Sequence, residues 1–495
     1  MGPDVLALVN GPTAPESRSA GEGVGHDGGC AREGAARYDH RAARVAAWVG
    51  RPGDLAHTTF HLTLSTGATA LLGLGFWAVA ARLFAPQDVG NGSAEIAAMS
   101  LVAGFAQLNL AHAFVRYLPP AGADAGRAVR LGYGLSLGTA AVVASAYVLS
   151  PLARTVVPAG WGAGAVFVVS VGFWTVFILQ DGVLTGLSRA AVVPVENVAF
   201  GVAKLGLLPV MLVLAPASGV FFAWTLPVLA AVVAISAFIL RRALPEAAAR
   251  AVPTGATPLP RGVELRSFLS AEYVHSLVSA AASFLLPLLI VRQLGAVAEA
   301  HFYIPWLIYL TFSNLLANVS SGLIVESAAR GRSPETIRRA SALMAAIAVV
   351  GLGVVVGLPG PLLGLLSPGY ASSGAGMLRF VGLALPFVAL GSLLVSQLWI
   401  ERRIWGIVAV RVVQSAVLVG GTELFLHRFG IEAAGFAVLA DGALVSLVGG
   451  PIVWRWYRRL ARDAATRVGG VGPVVPPPVA PPPVAPDRNE NQLWD

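Results

Sequence analysis

Of 495 residues, 56% are hydrophobic and only 12% are charged, with a mean hydropathy of +0.72. A soluble domain carries about 25% charged residues, so this chain has too little polar side chain to cover a water-facing surface, and a soluble protein is excluded. The net charge of +8 is read as the arginine bias of loops on one side of a membrane rather than as a nucleic-acid footprint, and the single cysteine, Cys30, excludes an intrachain disulfide framework and any metal site of several thiolates.

Residues 1–56 are polar and contain much glycine and arginine, which predicts a disordered cytoplasmic tail. No cleavable signal peptide is evident ahead of the first apolar run, near Phe60. From there the apolar stretches predict twelve transmembrane helices, at roughly 59–81, 91–115, 128–150, 162–187, 191–214, 219–240, 265–291, 297–327, 337–357, 374–400, 404–426 and 431–454. Turn signals separate them: FAPQD, LPPAGAD, LAPASG and LLSPGY. The alternating strands of a membrane barrel are absent. The fold class is therefore an all-α polytopic membrane protein.

The basic residues number 34, of which only Lys204 is lysine. Laid on this topology, twenty-seven arginines fall on one side of the membrane and only Arg82, Arg154, Arg292 and Arg428 on the other. An incorrect span count would scramble that alternation, so twelve spans with both termini cytoplasmic are expected, in a bacterial cell membrane. Shifting the chain by 210 residues lays ARLFAPQDVG (81–90) over VRQLGAVAEA (291–300), with Arg82 over Arg292. The expected organisation is two six-helix pseudo-repeat lobes, 57–240 and 265–455, joined by a cytoplasmic linker, 241–264. A basic and then Pro-rich tail, 456–495, contains VVPPPVAPPPVAP.

The stretch from HLTLSTGATALLGLGFWAVAARLFAPQDVG to AFVRYLP, with SRAAVVPVENVAFGVAKLGLLP around the fifth helix, resembles the polysaccharide-biosynthesis flippases of the multidrug/oligosaccharidyl-lipid/polysaccharide exporter superfamily. The resemblance covers about residues 57–455 and is strongest in the first half. It implies alternating access that moves a polyprenyl-pyrophosphate-linked oligosaccharide to the outer leaflet. Membrane lipids, and polysaccharide-assembly proteins reached through the tails, are the implied partners.

Three basic residues remain within the spans: Lys204, Arg379 and Arg411. A charge at bilayer depth costs about 2.5–3.5 kcal/mol on insertion scales, so each faces a partner or a polar cavity. For Lys204 two readings stand: a structural pair with a carboxylate or backbone carbonyl, or a cation turned into a central cavity toward an anionic headgroup. Arg411, on the counterpart helix of the second half, would grip the same headgroup. Arg379, near the outer end of the tenth helix, and Arg116, at the cytoplasmic mouth of the second, complete the candidate headgroup cations. The acids within or beside spans are Glu95, Asp181, Glu196, Glu272, Glu326, Glu423 and Asp441. Of these, Asp441, Glu272, Glu95 and Glu196 are candidates for H⁺ or Na⁺ coupling or for ion pairing with the cations.

Two rival functions remain. A multidrug exporter of the same superfamily would move cationic cargo. A polysaccharide polymerase or ligase would need a large outer loop with catalytic His or Arg, and the longest outer connection, 358–373, has none. His112, His275 and His301 form no metal spacing, no HExxH occurs, and no GxxxxGK[ST] motif points to direct use of ATP. No catalytic residue, metal or bound cofactor is expected.

Overall fold

A computed structural model describes residue 69 and residues 71–250 and 263–469. The expected N-terminal tail and the Pro-rich end of the C-terminal tail lie outside the described residues, as does most of the linker. The described residues form helices and no strand. Among the described residues ten helices are long and apolar enough to cross a membrane, eleven when one bent pair is counted as a span, and the shorter apolar helix Leu71–Leu83 is the described part of the first expected span.

In the first half, α1 (Leu71–Leu83) is followed by α2 (Pro86–Ala106), α3 (Leu110–Tyr117) and α4 (Ala125–Leu149). Then come α5 (Trp161–Gly186), α6 (Val192–Leu214), α7 (Gly219–Phe238) and the short α8 (Leu244–Arg250). The second half comprises α9 (Val263–Leu294), α10 (Ala296–Arg330), α11 (Pro334–Gly357), the short α12 (Pro359–Gly364), α13 (Pro368–Ile400), α14 (Ile404–Phe429) and α15 (Glu432–Gly469).

The halves repeat element by element. Helices beginning at 86, 125, 161, 192 and 219 are answered by helices beginning at 296, 334, 368, 404 and 432. Even the single-turn helix Pro151–Thr155 has its counterpart in α12. Arg82 and Arg292 both lie in the last turn of their helices, as the sequence register places them. The turns from α5 to α6 and from α13 to α14 share one local design. Ser188 and Arg402 are left-handed, at φ 60° and 58°. The following amides, of Arg189 and Arg403, reach back to Leu184 O at 2.7 Å and Leu398 O at 2.8 Å. Such a C-cap satisfies a carbonyl that the helix end would otherwise orphan.

Three expectations are corrected. The second span, expected as one helix over 91–115, starts at Pro86 and breaks between α2 and α3 with a bend of 48°. Leu108 and Asn109 are both left-handed there, at φ 49° and 55°, which stops the hydrogen-bond ladder. The C-terminal tail expected from 456 starts as helix, because α15 runs on to Gly469 through an Arg- and Ala-rich stretch of good helix formers. The linker starts as structure too: one π turn, Ile239–Ala243, leads directly into α8.

The halves meet along a seam. Its principal packing sets α2 against α9 and α10. Near the arginine-poor face, Gly90 lies so close to α10 that a Cβ there would sit 1.7 Å from Ala296 O, so only glycine permits the contact. One turn deeper, the Ser93 hydroxyl donates to Glu299 Oε1 at 3.2 Å. Trp77 of α1 packs on Tyr303 of α10 with ring centroids 4.4 Å apart. At the rim, Arg82 Nε donates to Leu365 O at 2.8 Å. Towards the other face, Tyr273 of α9 donates to Phe105 O at 2.8 Å. At the arginine-poor face, then, α1 and α2 are tied to α10 and to the α12–α13 turn.

Candidate functional site

Lys204 is 5% exposed on α6, among helices rich in aromatics. Its position follows from packing. Gly201, one turn earlier, accepts Leu72 of α1, and a Cβ there would meet Leu72 Cδ1 at 2.8 Å. That close approach brings Phe76, one turn further along α1, over the lysine. Nζ lies 3.7 Å from the Trp224 ring centroid, 4.8 Å from Phe200 and 5.2 Å from Phe76. Trp77, Trp174 and Phe177 extend the wall through ring contacts of 5.1–5.9 Å. The ion pairs among the described residues lie at helix ends and none involves Lys204.

The lysine's surroundings thus differ from both expected settings. A desolvated cation over an aromatic face gains about 2 kcal/mol. Three such faces are of the right size to offset the insertion cost of about 2.5–3.5 kcal/mol without any carboxylate.

The second half contains a partly open cavity of about 270 Å³ between α9, α10, α13, α14 and α15. Arg411, Gln414, Asp441, Tyr309, Trp306 and Asn314 line it. Arg411 Nη1 donates to Gln414 Oε1 at 3.2 Å, and Gln414 Nε2 donates to Asp441 Oδ2 at 3.4 Å. Arg411 Nε and Asp441 Oδ1 are buried without a protein partner. Arginine and aspartate are therefore coupled through the amide, each with hydrogen-bonding capacity to spare. Lys204 is not among the lining residues, so the structure does not bring it into one cavity with Arg411.

The other expected residues divide by depth. Glu95 is buried on α2 and Glu196 on α6. Both Glu196 oxygens and Asp181 Oδ1 are buried without a protein partner. Arg379 is exposed on α13 and does not join Arg411. Arg116 is exposed at the end of α3, 5.5 Å over the Tyr117 ring. Glu272 falls in a stretch of α9 whose side chains are outside those described. Among the described residues no group of three or more His, Cys, Asp or Glu is placed to hold a metal ion.

Glu299 is the site residue that sequence reasoning missed. It is completely buried in the first turn of α10, bonded to Ser93 across the seam, with Oε2 lacking a partner. An acid in the first turn of a helix reads as an ordinary dipole partner at the membrane edge, and only the packing of α2 on top of it reveals its burial. The aromatic box was equally hidden, because Phe76, Phe200 and Trp224 come from three helices.

No protein-family model and no curated protein matches the chain. Solved structures do. The inward-facing structure of a multidrug resistance MATE family transporter of the MOP superfamily has a TM-score of 0.61 at 14% identity, covering 80% of this chain and 95% of that one. The fold is that of the MATE transporters. An outward-facing structure of a multidrug resistance MATE family transporter gives 0.54 at 15% identity, over 82% of this chain and 95% of that one. A MOP superfamily transporter from Pyrococcus furiosus, whose binding pocket is described as having reverse polarity, gives 0.55 at 13% identity over 81% of this chain and 95% of that one.

Proposed function

We propose that the chain is an alternating-access exporter of amphiphilic compounds, of the multidrug type, in a bacterial cell membrane with both termini cytoplasmic. The observation that carries the proposal is the seam. Two halves with the same element order are joined along α2, α9 and α10 and tied at the arginine-poor face by Ser93–Glu299 and Arg82–Leu365. Rocking the halves about such a seam exposes the interior to one face at a time. The aromatic wall of the first half and the polar cavity of the second suit cargo with an apolar body and a polar end. Likeness to multidrug MATE structures supports the same reading. Buried carboxyl groups without ion-pair partners, those of Glu95, Glu196, Glu299 and Asp441, are the groups through which H⁺ or Na⁺ would drive the cycle.

A second reading is flipping of a polyprenyl-pyrophosphate-linked oligosaccharide. One observation favours it: among the described residues each half holds one cation within its spans, Lys204 buried and Arg411 half-buried, without a carboxylate within ion-pair distance. The 27-to-4 arginine distribution supports the assignment of faces.

Proteoliposomes separate the two. With an imposed proton or sodium gradient, the exporter reading predicts gradient-dependent movement of fluorescent amphiphiles and no scrambling of a labelled polyprenyl-pyrophosphate oligosaccharide. Translocation of the lipid-linked sugar alone would transfer the assignment to the flippase reading, and movement of neither would defeat both.

A further inference from the structure

Aromatic boxes of this kind recognise quaternary ammonium groups, because the negative ring faces replace the water that a cation loses on burial. Here the box is already filled. The Lys204 ammonium lies 3.7 Å, 4.8 Å and 5.2 Å from the centroids of Trp224, Phe200 and Phe76, tethered to the same helix as Phe200. The lysine is 5% exposed, and Phe76 and Trp224 stand edge to face at 5.4 Å, so the rings enclose the cation rather than flank it. The Trp224 indole N–H finds no protein acceptor, so the tryptophan is held there by its ring contacts and not by a hydrogen bond.

We infer that this box is a cation site with a built-in occupant, and that Lys204 thereby fixes the charge preference of the first half: quaternary ammonium compounds are refused, so this exporter takes uncharged or anionic amphiphiles in place of the cationic cargo expected of a multidrug exporter. The inference deepens the exporter reading and rests on it for the word cargo. The box itself is a binding property and stands or falls separately. A ligand ammonium entering beside Lys204 meets a like charge in a site of low dielectric, and the two cations compete for the same ring faces. Removing the ammonium leaves the rings in place and the repulsion gone.

The test is equilibrium binding of radiolabelled tetraethylammonium to the purified full-length protein in nanodiscs. Lys204→Ala vacates the box, Lys204→Arg keeps the charge, and Lys204→Met fills the space without it. The expected pattern is a gain of roughly tenfold or more in affinity for Lys204→Ala over wild type, wild-type behaviour for Lys204→Arg, and loss of the gain when Trp224→Ala is added. Gel filtration establishes that each variant is folded, and Lys204→Met serves where Lys204→Ala is not, with a smaller gain expected. Equal binding by wild type and Lys204→Ala overturns the inference, as does a gain that survives Trp224→Ala. If this pattern appears in a protein that exports nothing, the exporter reading fails and the box remains. If wild type exports quaternary ammonium dyes as fast as Lys204→Ala, the charge preference fails and the exporter reading remains.

Discussion

At the scale of single residues, Gly201 and Lys204 act as a unit. The glycine admits Leu72, and that contact sets the depth at which Phe76 covers the ammonium. Gly201→Ala would place a Cβ 2.8 Å from Leu72 Cδ1 and 3.0 Å from Leu72 Cβ, so α1 must shift as a body and not only by a rotamer. The expected cost is about 1–3 kcal/mol, seen as a lowered thermal midpoint in detergent. Gly206→Ala on the same helix, where a Cβ meets nothing, should not lower the midpoint and is expected to raise it slightly, alanine being the better helix former. Equal effects of the two substitutions would detach the box from the α1–α6 contact. Lys204 was legible in the sequence as an anomaly, the one lysine among arginines, but its surroundings were not. An apolar run gives no sign that its aromatic neighbours on two other helices will converge, nor that ring faces rather than a carboxylate will meet the charge.

At the scale of elements, the apolar runs announced all but the second and the last of the twelve expected spans to within six residues wherever they are described, because a membrane helix needs about twenty apolar residues and its loops need charge and turn formers. The break between α2 and α3 was not legible: FAQLNLAHA holds neither glycine nor proline, yet Leu108 and Asn109 are both left-handed. The buried Asn109 side chain, 2.8 Å from His112 Nδ1, helps to hold that pair in place. The matching turns at Ser188 and Arg402 were similarly silent, since both use non-glycine residues in a conformation that glycine favours. Left-handed backbone costs an ordinary residue about 1–2 kcal/mol. Ser188→Gly and Arg402→Gly are each expected to raise the thermal midpoint, with a net gain of about 0.5–1 kcal/mol after the added freedom of the unfolded chain is subtracted. A fall in the midpoint for either would mean that the native side chain contributes more at that turn than the backbone strain costs.

At the scale of the whole molecule, the internal repeat could be glimpsed in the register of Arg82 over Arg292, and the structure extends it to every major element. What no local pattern could show is where the seam is tied. Gly90 against Ala296, Ser93 on Glu299 and Arg82 on Leu365 all lie towards the arginine-poor ends of their helices. Tyr273 on Phe105 O adds a tie towards the arginine-rich ends. The central claim, that the two halves rock about this seam, is tested most directly by a distance. Cys30, the single native cysteine, is replaced by serine, and spin labels are placed at the exposed positions 83 and 364, beside the Arg82–Leu365 contact and leaving it intact. Pulsed electron–electron spectroscopy in nanodiscs then reads the gap. The account predicts one short distance at rest and a second, longer population when a transported amphiphile and the driving ion, as low pH or high sodium, are supplied. A single unchanged short distance under every such condition, in protein that demonstrably moves its cargo, would contradict alternating access about this seam.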